Sequence, residues 1–490
     1  MTLRSNGSAV RRPAVVVVGD VVLDRDLIGT SERLAPDAPV PVLDVTTVRE
    51  SPGGAALAAL LAAWSGAEVT LIAPIADDAG GARLRALLEP HVALIAIGHD
   101  GPTRRKTRVR SSGQSLLRID DGGPGRPVDL PVDRIATALA GADAVLVADY
   151  GAGTTCDDRI RQILTETANR TRLVWDPHPR GGAPVSGATL VTPNLAEACA
   201  ADRARNPDQP NGSGQPDLIA GRLRAAWQVQ AVCVTAGADG AFLAESEAGA
   251  HYLPAPIVRA GDSCGAGDRF AATATVRLAF GDLISEAATA GVRDASAWVG
   301  AGGSASLRLD AAGPGRGVGD VSPRLPISAE NNDAAATVEQ VADRLTGGGK
   351  RTLVATGGCF DIVHPGHVAT LQAARRLGDA LVVLINSDAS VARLKGPGRP
   401  VVGAQDRARV LQAFDCVDAV VIFDEDDPRA ALSRLRPDIW VKGGDYGGTE
   451  LPETATVRSG GGRVVFLPYL PGRSTTSIIE RSRSQSHQSA

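Results

Sequence analysis

Between Gly261 and Phe270 the chain reads G-D-S-C-G-A-G-D-R-F, three small residues, Gly265, Ala266 and Gly267, followed by a carboxylate at Asp268. Small residues let a ligand approach the backbone and leave amide N–H groups pointing outward. A helix starting there adds the positive end of its dipole, so the place suits an anion such as a phosphoryl group in transfer. A carboxylate at the mouth of that cradle repels phosphate unless it has a chemical role. The natural role is to accept a proton from an attacking hydroxyl. In isolation the same residues also describe a glycine-rich helix start with an acidic cap.

A second constellation is T-G-G-C-F-D-I-V-H-P-G-H, from Thr356 to His367. His364 and His367 stand three apart around a Pro-Gly turn, with a helix expected over residues 368–377. Histidines at a helix start can donate hydrogen bonds to phosphate oxygens, with help from the dipole. A lone His-x-x-His fits a partial metal site equally well; a strand ending in Gly357-Gly358 just before it favours a nucleoside triphosphate. The 51 basic residues include only four lysines, Lys106, Lys350, Lys395 and Lys442. A lysine in an arginine-rich chain marks a place where a compact ammonium is wanted in place of a planar fork.

Composition bounds the answer. A chain of 490 residues is too long for one ordinary core and predicts two or three domains. With 43% hydrophobic and 22% charged residues it reads as a soluble globular protein. A formal charge of −4 gives no electrostatic reason to bind nucleic acid or an anionic membrane. No apolar run is of membrane-spanning length, and the polar first 12 residues lack the apolar segment of a secretion signal. The six cysteines form no C-x-x-C pair, which suits a reducing cytoplasm and argues against disulfides or a zinc site.

Positioning these residues requires strands that end where ligands bind. Residues 15–18 are β-branched and run into Gly19-Asp20, which predicts a buried first strand with Asp20 and Asp24 at its carboxyl end. Residues 36–44 read as extended or edge structure. Gly53-Gly54 leads into an Ala/Leu helix over residues 55–64, and two glycines there would admit a substrate hydroxyl or simply make a tight turn. Residues 104–110, R-R-K-T-R-V-R, alternate as a strand with Lys106 and Arg108 on one face, either a clamp for an anion or a solvated edge. Further strands at 69–73, 92–97, 144–148, 173–175, 190–192 and 232–235 alternate with helices, so the sheet is parallel with helices on both faces. Asn194 and Glu197, three apart at a helix start, could orient a magnesium-bound water or cap the helix.

The expected division is a disordered start over 1–12, a first domain over 13–325, a linker over 326–350, a second domain over 351–482, and a disordered tail over 483–490. In the second domain, strands at 352–355, 381–385, 419–423, 439–441 and 464–467 predict a five-stranded α/β unit. Lys442 stands at a strand exit, Lys395 lies beyond another, and Ser474, Thr475 and Thr476 cap a final helix.

With these motifs set out, residues 262–270 resemble the C-terminal signature of the ribokinase-like (PfkB) carbohydrate kinases. The H-x-G-H tetrad at 364–367 resembles the cytidylyltransferase-like nucleotidyltransferases. The order of the halves, with N-S-D-A-S, R-L-K-G and V-K-G-G-D-Y, is similar to the bifunctional enzymes of ADP-heptose synthesis. The resemblance implies an α/β protein: a ribokinase-like three-layer domain followed by a Rossmann-like nucleotidyltransferase domain. It implies ATP-dependent phosphorylation of heptose 7-phosphate at C1, then adenylyl transfer from ATP to heptose 1-phosphate. On this reading Asp268 is the base, and Gly265, Ala266 and Gly267 form the anion hole. Asn194 and Glu197 organise Mg²⁺ through water. Asp20, Asp24, Gly53, Gly54, Lys106 and Arg108 bind the sugar phosphate. His364, His367, Lys395 and Lys442, with Gly358, Phe360, Ser474, Thr475 and Thr476, hold the second nucleotide. A homodimer through the kinase domain is expected as well. The chain departs from the family pattern at Leu57, where the kinases have asparagine, at Gly357, again asparagine, and at His178, a lysine. Leu57 keeps open a degenerate kinase half, the same design acting on another sugar phosphate is a second alternative, and a nucleotide-binding sensor without turnover is the reading from another class.

Overall fold

The computed structural model describes residues 11–111, 114–123, 125–206, 215–258, 261–307, 338–346, 351–443 and 451–468. The chain divides into two compact units, Met1–Leu243 with Ala255–Arg316, and Ala244–Pro254 with Gly317–Ala490.

The first unit is built on a parallel sheet. From one side its strands are Ala231–Thr235, Leu190–Val191, Arg172–Asp176, Ala144–Ala148, Ala14–Gly19, Glu68–Ile75 and Ala93–Asp100, with Arg126–Val128 pairing antiparallel at the edge. The central strand is β-branched because both its faces are covered: Val15, Val16, Val17 and Val18 are all buried. The helix Ala55–Trp64 is buried along nearly its whole length, which explains why its sequence is apolar all round and carries no amphipathic stripe.

A second, four-stranded sheet was only partly foreseen. Its order is Ala38–Gly54, Val21–Ala35, Arg105–Ser111, Gln114–Asp121, antiparallel at both outer pairs and parallel in the middle. The extended segment at 36–44 and the basic strand at 104–110 are both in it. Gln114–Asp121 gave no signal because it is exposed at every position and so needs no apolar alternation.

The second unit has a parallel sheet in the order Ala419–Phe423, Ala380–Asn386, Leu353–Gly358, Ile439–Gly443, Arg463–Leu467, with Ala250–Leu253 added beyond the last. Leu353–Gly358 lies between Ala380–Asn386, the next strand in sequence, and Ile439–Gly443, and such a switch point opens a crevice at the carboxyl ends of the strands. The helix Val338–Thr346 buries Val338, Val341 and Leu345 in this unit's core. The helix after the histidine motif begins at Pro365, three residues earlier than expected, because Pro is well suited to a first turn and His364 serves as the residue before it.

Candidate functional sites

In the first unit the small-residue stretch opens the helix Ala266–Ala279, with Gly265 in the left-handed conformation at φ 80°. The positive φ favours glycine, and a side chain at 265 would also have to push aside the ends of Ser304 and Leu57. The loop is fixed from behind. The carbonyl of Cys264 accepts from Trp298 Nε1 at 2.9 Å and Ser304 Oγ at 2.9 Å, and Cys264 N–H donates to Asp262 Oδ1 at 3.0 Å.

Asp268 lies in the first turn of that helix and is 6% exposed. Its Oδ1 accepts from the Tyr150 hydroxyl at 2.6 Å. Burial pushes the carboxyl up to about 7, with Asp24 adding to the rise and Tyr150 and Lys106 opposing it. The Tyr150 hydroxyl is pushed well above its ordinary value by burial and by Asp268, so it stays the donor. A carboxyl near 7 is poised to take a proton at neutral pH.

Tyr150 is held by the residues before it. Asp20 Oδ2 accepts from Tyr150 N–H at 3.1 Å and Ala152 N–H at 2.9 Å, and its Oδ1 from Thr154 N–H at 3.2 Å. Asp20 is thus committed to the loop that carries Tyr150. Asp149, one residue earlier, is raised to about 6, chiefly by burial. At the next strand end Asp176 is raised well above the ordinary range by burial and by Asp268 and Glu197, a crowding of negative charge that a cation would relieve.

Asn194 and Glu197 form a reciprocal capping box, Glu197 N–H to Asn194 Oδ1 at 3.0 Å and Asn194 N–H to Glu197 Oε2 at 2.9 Å. Among the described residues no group of three or more His, Cys, Asp or Glu is placed to hold an ion by itself. Asp176 and Glu197, both pushed up chiefly by burial, would give up their protons to a cation brought close, which fits Mg²⁺ arriving with a nucleotide and keeping its waters.

The four-stranded sheet puts Asp24 opposite Lys106 and Asp26 opposite Arg108. Arg108 donates to Asp24 Oδ1 at 2.8 Å and reaches Cys264 Sγ at 3.4 Å; Lys106 Nζ stands 5.4 Å from the Tyr150 ring centroid. Gly53 faces the Asp24 carboxylate so closely that a Cβ would collide with it, and Gly54, at φ 64°, precedes the buried helix. The sequence therefore brings Asp24, Gly53, Lys106, Gly265 and Asp268 to one place, while Tyr150, the residue that touches Asp268, was missed. Nothing local marks it, since the contact joins positions 118 apart.

In the second unit His364 and His367 stack with ring centroids 3.8 Å apart, and the Phe360 ring lies 4.9 Å from His367. Phe360 takes φ 45°, rare for a bulky residue, just past the strand end at Gly358. Burial and His364 lower His367 to about 4, so it is neutral at neutral pH. Lys442 Nζ pairs with the buried Glu453 at 3.2 Å and stands 5.7 Å from the Trp440 ring centroid. Lys395 is exposed at the end of the helix Asp388–Lys395. Ser474, Thr475 and Thr476 lie outside the described residues. Gly357 is explained by Trp440, whose ring a side chain at 357 would strike. Sequence reading also missed Arg407, 1% exposed, which donates to the carbonyls of Cys359, Asn386 and Val402 and to Asp388 Oδ1.

Comparison with known proteins agrees with this division. Residues 12–311 match the pfkB family carbohydrate kinases and residues 355–481 the cytidylyltransferase-like family. The chain is 50% identical to "Bifunctional protein HldE" of Streptomyces coelicolor over 96% of this chain and 97% of that one. It is 37% identical to the protein so named of Rhodopseudomonas palustris, over 97% and 98%. A ribokinase structure from Thermotoga maritima aligns with 60% of this chain and 96% of its own, at 21% identity and TM-score 0.47.

Proposed function

The chain belongs to the bifunctional HldE proteins, a pfkB family carbohydrate kinase followed by a cytidylyltransferase-like part, and we propose that it performs the two ATP-dependent transfers of ADP-heptose synthesis. It is a transferase. The first unit phosphorylates heptose 7-phosphate at C1, and the second joins heptose 1-phosphate to the adenylyl group of ATP with loss of pyrophosphate.

The observation that carries the kinase reading is the buried Asp268, raised to about 7 at the mouth of a glycine-led helix. It takes the proton of the C1 hydroxyl while the amides of Gly265 and Gly267 face the transferring phosphoryl group; the third amide of the stretch, Ala266 N–H, is spent on the Ser263 carbonyl at 3.1 Å and holds the turn. Asp24 and the backbone at Gly53 and Gly54 meet sugar hydroxyls. Asn194 and Glu197 would hold Mg²⁺ through water, and the ion would supply neutralisation of charge on the ATP phosphates. In the second unit the stacked His364 and His367 face the triphosphate. Lys442, Lys395, Gly358 and Phe360 complete that cradle. No covalent intermediate is required; positioning and charge stabilisation suffice.

Exposed apolar residues on the four-stranded sheet, among them Leu34, Val40, Leu117 and Ile119, suit a homodimer through the kinase part. Six free cysteines suit a cytoplasmic setting, and no described helix is long and apolar enough to cross a membrane. The test of function is mass spectrometry of products from heptose 7-phosphate, ATP and Mg²⁺, with and without a phosphatase that removes the 7-phosphate. Heptose 1,7-bisphosphate alone, and ADP-heptose once phosphatase is added, is the expected result. No bisphosphate from the unmodified protein would reduce the claim to the second activity.

A further inference from the structure

The substrate of the kinase reading carries a phosphate at the end remote from the reacting hydroxyl, and the first unit holds a cavity of about 130 Å³ suited to it. The cavity is lined by Arg104, Arg105, Lys106 and Arg180, with Asp120 and Asp121. The two acids are matched by other arginines, Asp120 by Arg118 at 2.9 Å and Asp121 by Arg105 at 4.0 Å. Arg108, the other candidate in the basic strand, is drawn away to Asp24 and Cys264. Arg104 is turned inward, donating to the Tyr150 carbonyl at 3.1 Å. What remains converging on the cavity is Arg104, Lys106 and Arg180; Asp20 and Asp120 offset part of the Arg104 charge, and an anion seated among the three cations would offset more.

We propose that Arg180, from the loop after the strand Arg172–Asp176, joins Arg104 and Lys106 as the seat of the substrate's distal phosphate and so sets the kinase's preference for a phosphorylated sugar. The spacing suits a substrate of this length. Lys106 stands over the Tyr150 ring and the hydroxyl of that ring meets Asp268, so seat and base lie about one tyrosine side chain apart, within reach of a seven-carbon sugar. The neighbouring His178 cannot supply the charge. Its Nδ1 accepts from Arg180 N–H at 3.2 Å, and burial together with Arg180, Lys106 and Arg104 lowers its pKa, leaving it neutral and a positioner of the loop.

The inference rests on the kinase reading, and its test separates the two. Arg180 is exposed, so Arg180→Gln should fold. We expect this variant to raise the KM for heptose 7-phosphate about tenfold or more. Its KM for ATP, and its turnover of the same heptose without a 7-phosphate, should match the unmodified protein, and Arg180→Lys should recover part of the loss. Equal loss on both sugars, or an unchanged KM, overturns the seat. Calorimetric titration with inorganic phosphate needs no turnover: one binding component lost in Arg180→Gln supports the seat, and identical isotherms overturn it. Failure of the kinase reading itself would show separately, as no bisphosphate from the unmodified protein.

Discussion

Asp268 illustrates how a single side chain sets both activity and stability. Its carboxyl sits near 7 in the folded protein against 3.8 for a free aspartate. The native state therefore holds a proton that the unfolded chain releases, and stability falls as pH rises from about 4 to about 7. Asp268→Asn should raise the melting temperature more at pH 8 than at pH 4, a scan at each pH being the check. The same change should lower bisphosphate formation by a factor on the order of a thousand while leaving adenylyl transfer from supplied heptose 1-phosphate intact. In the unmodified protein kinase kcat/KM should climb with pH through about 7, as the base ionises. His367 runs the other way. Lowered to about 4, it is neutral when free, and its contribution to stability grows as pH rises from about 4 to 6.5. A bound triphosphate favours its charged form, so nucleotide binding at pH 6 should take up protons. Calorimetry in buffers of different ionisation enthalpy would register this in the unmodified protein and less of it in His367→Asn.

Among elements, those that carry the motifs were legible because their chemistry is written in consecutive residues. The glycines of 265–267 before a helix and the two histidines around Pro365 each declare a strand-to-helix turn with an anion in view. Buried strands such as Ala14–Gly19 were legible for a different reason, their unbroken β-branched runs. The strand Gln114–Asp121 was not, being solvated throughout, nor was Tyr150, whose partner is supplied by the fold. Arg407 is the clearest omission. Nothing in the sequence separates it from the chain's other arginines, yet it gathers the carbonyls of Val402, Cys359 and Asn386 in the second unit. Arg407→Met would leave those acceptors unsatisfied and should destabilise the second unit by on the order of 3 kcal/mol. Denaturant unfolding followed through adenylyl transfer would show an earlier midpoint, with the kinase midpoint unmoved.

For the molecule as a whole, two units with separate cradles predict that the activities can be divided between chains. An equimolar mixture of Asp268→Asn and His367→Ala proteins, supplied with the phosphatase, should convert heptose 7-phosphate fully to ADP-heptose, although neither does so alone. Failure of the mixture while each retains its own step would mean that the intermediate must stay on one polypeptide. Both cradles draw on the same ATP, which gives the Tyr150 hydroxyl a consequence beyond positioning. Bonded to Asp268 Oδ1 at 2.6 Å, it covers one oxygen of the base, and we expect it to keep water from that oxygen until a sugar hydroxyl displaces it. An idle kinase thus spares the nucleotide pool, and Tyr150→Phe should hydrolyse ATP to ADP and phosphate when no heptose is present.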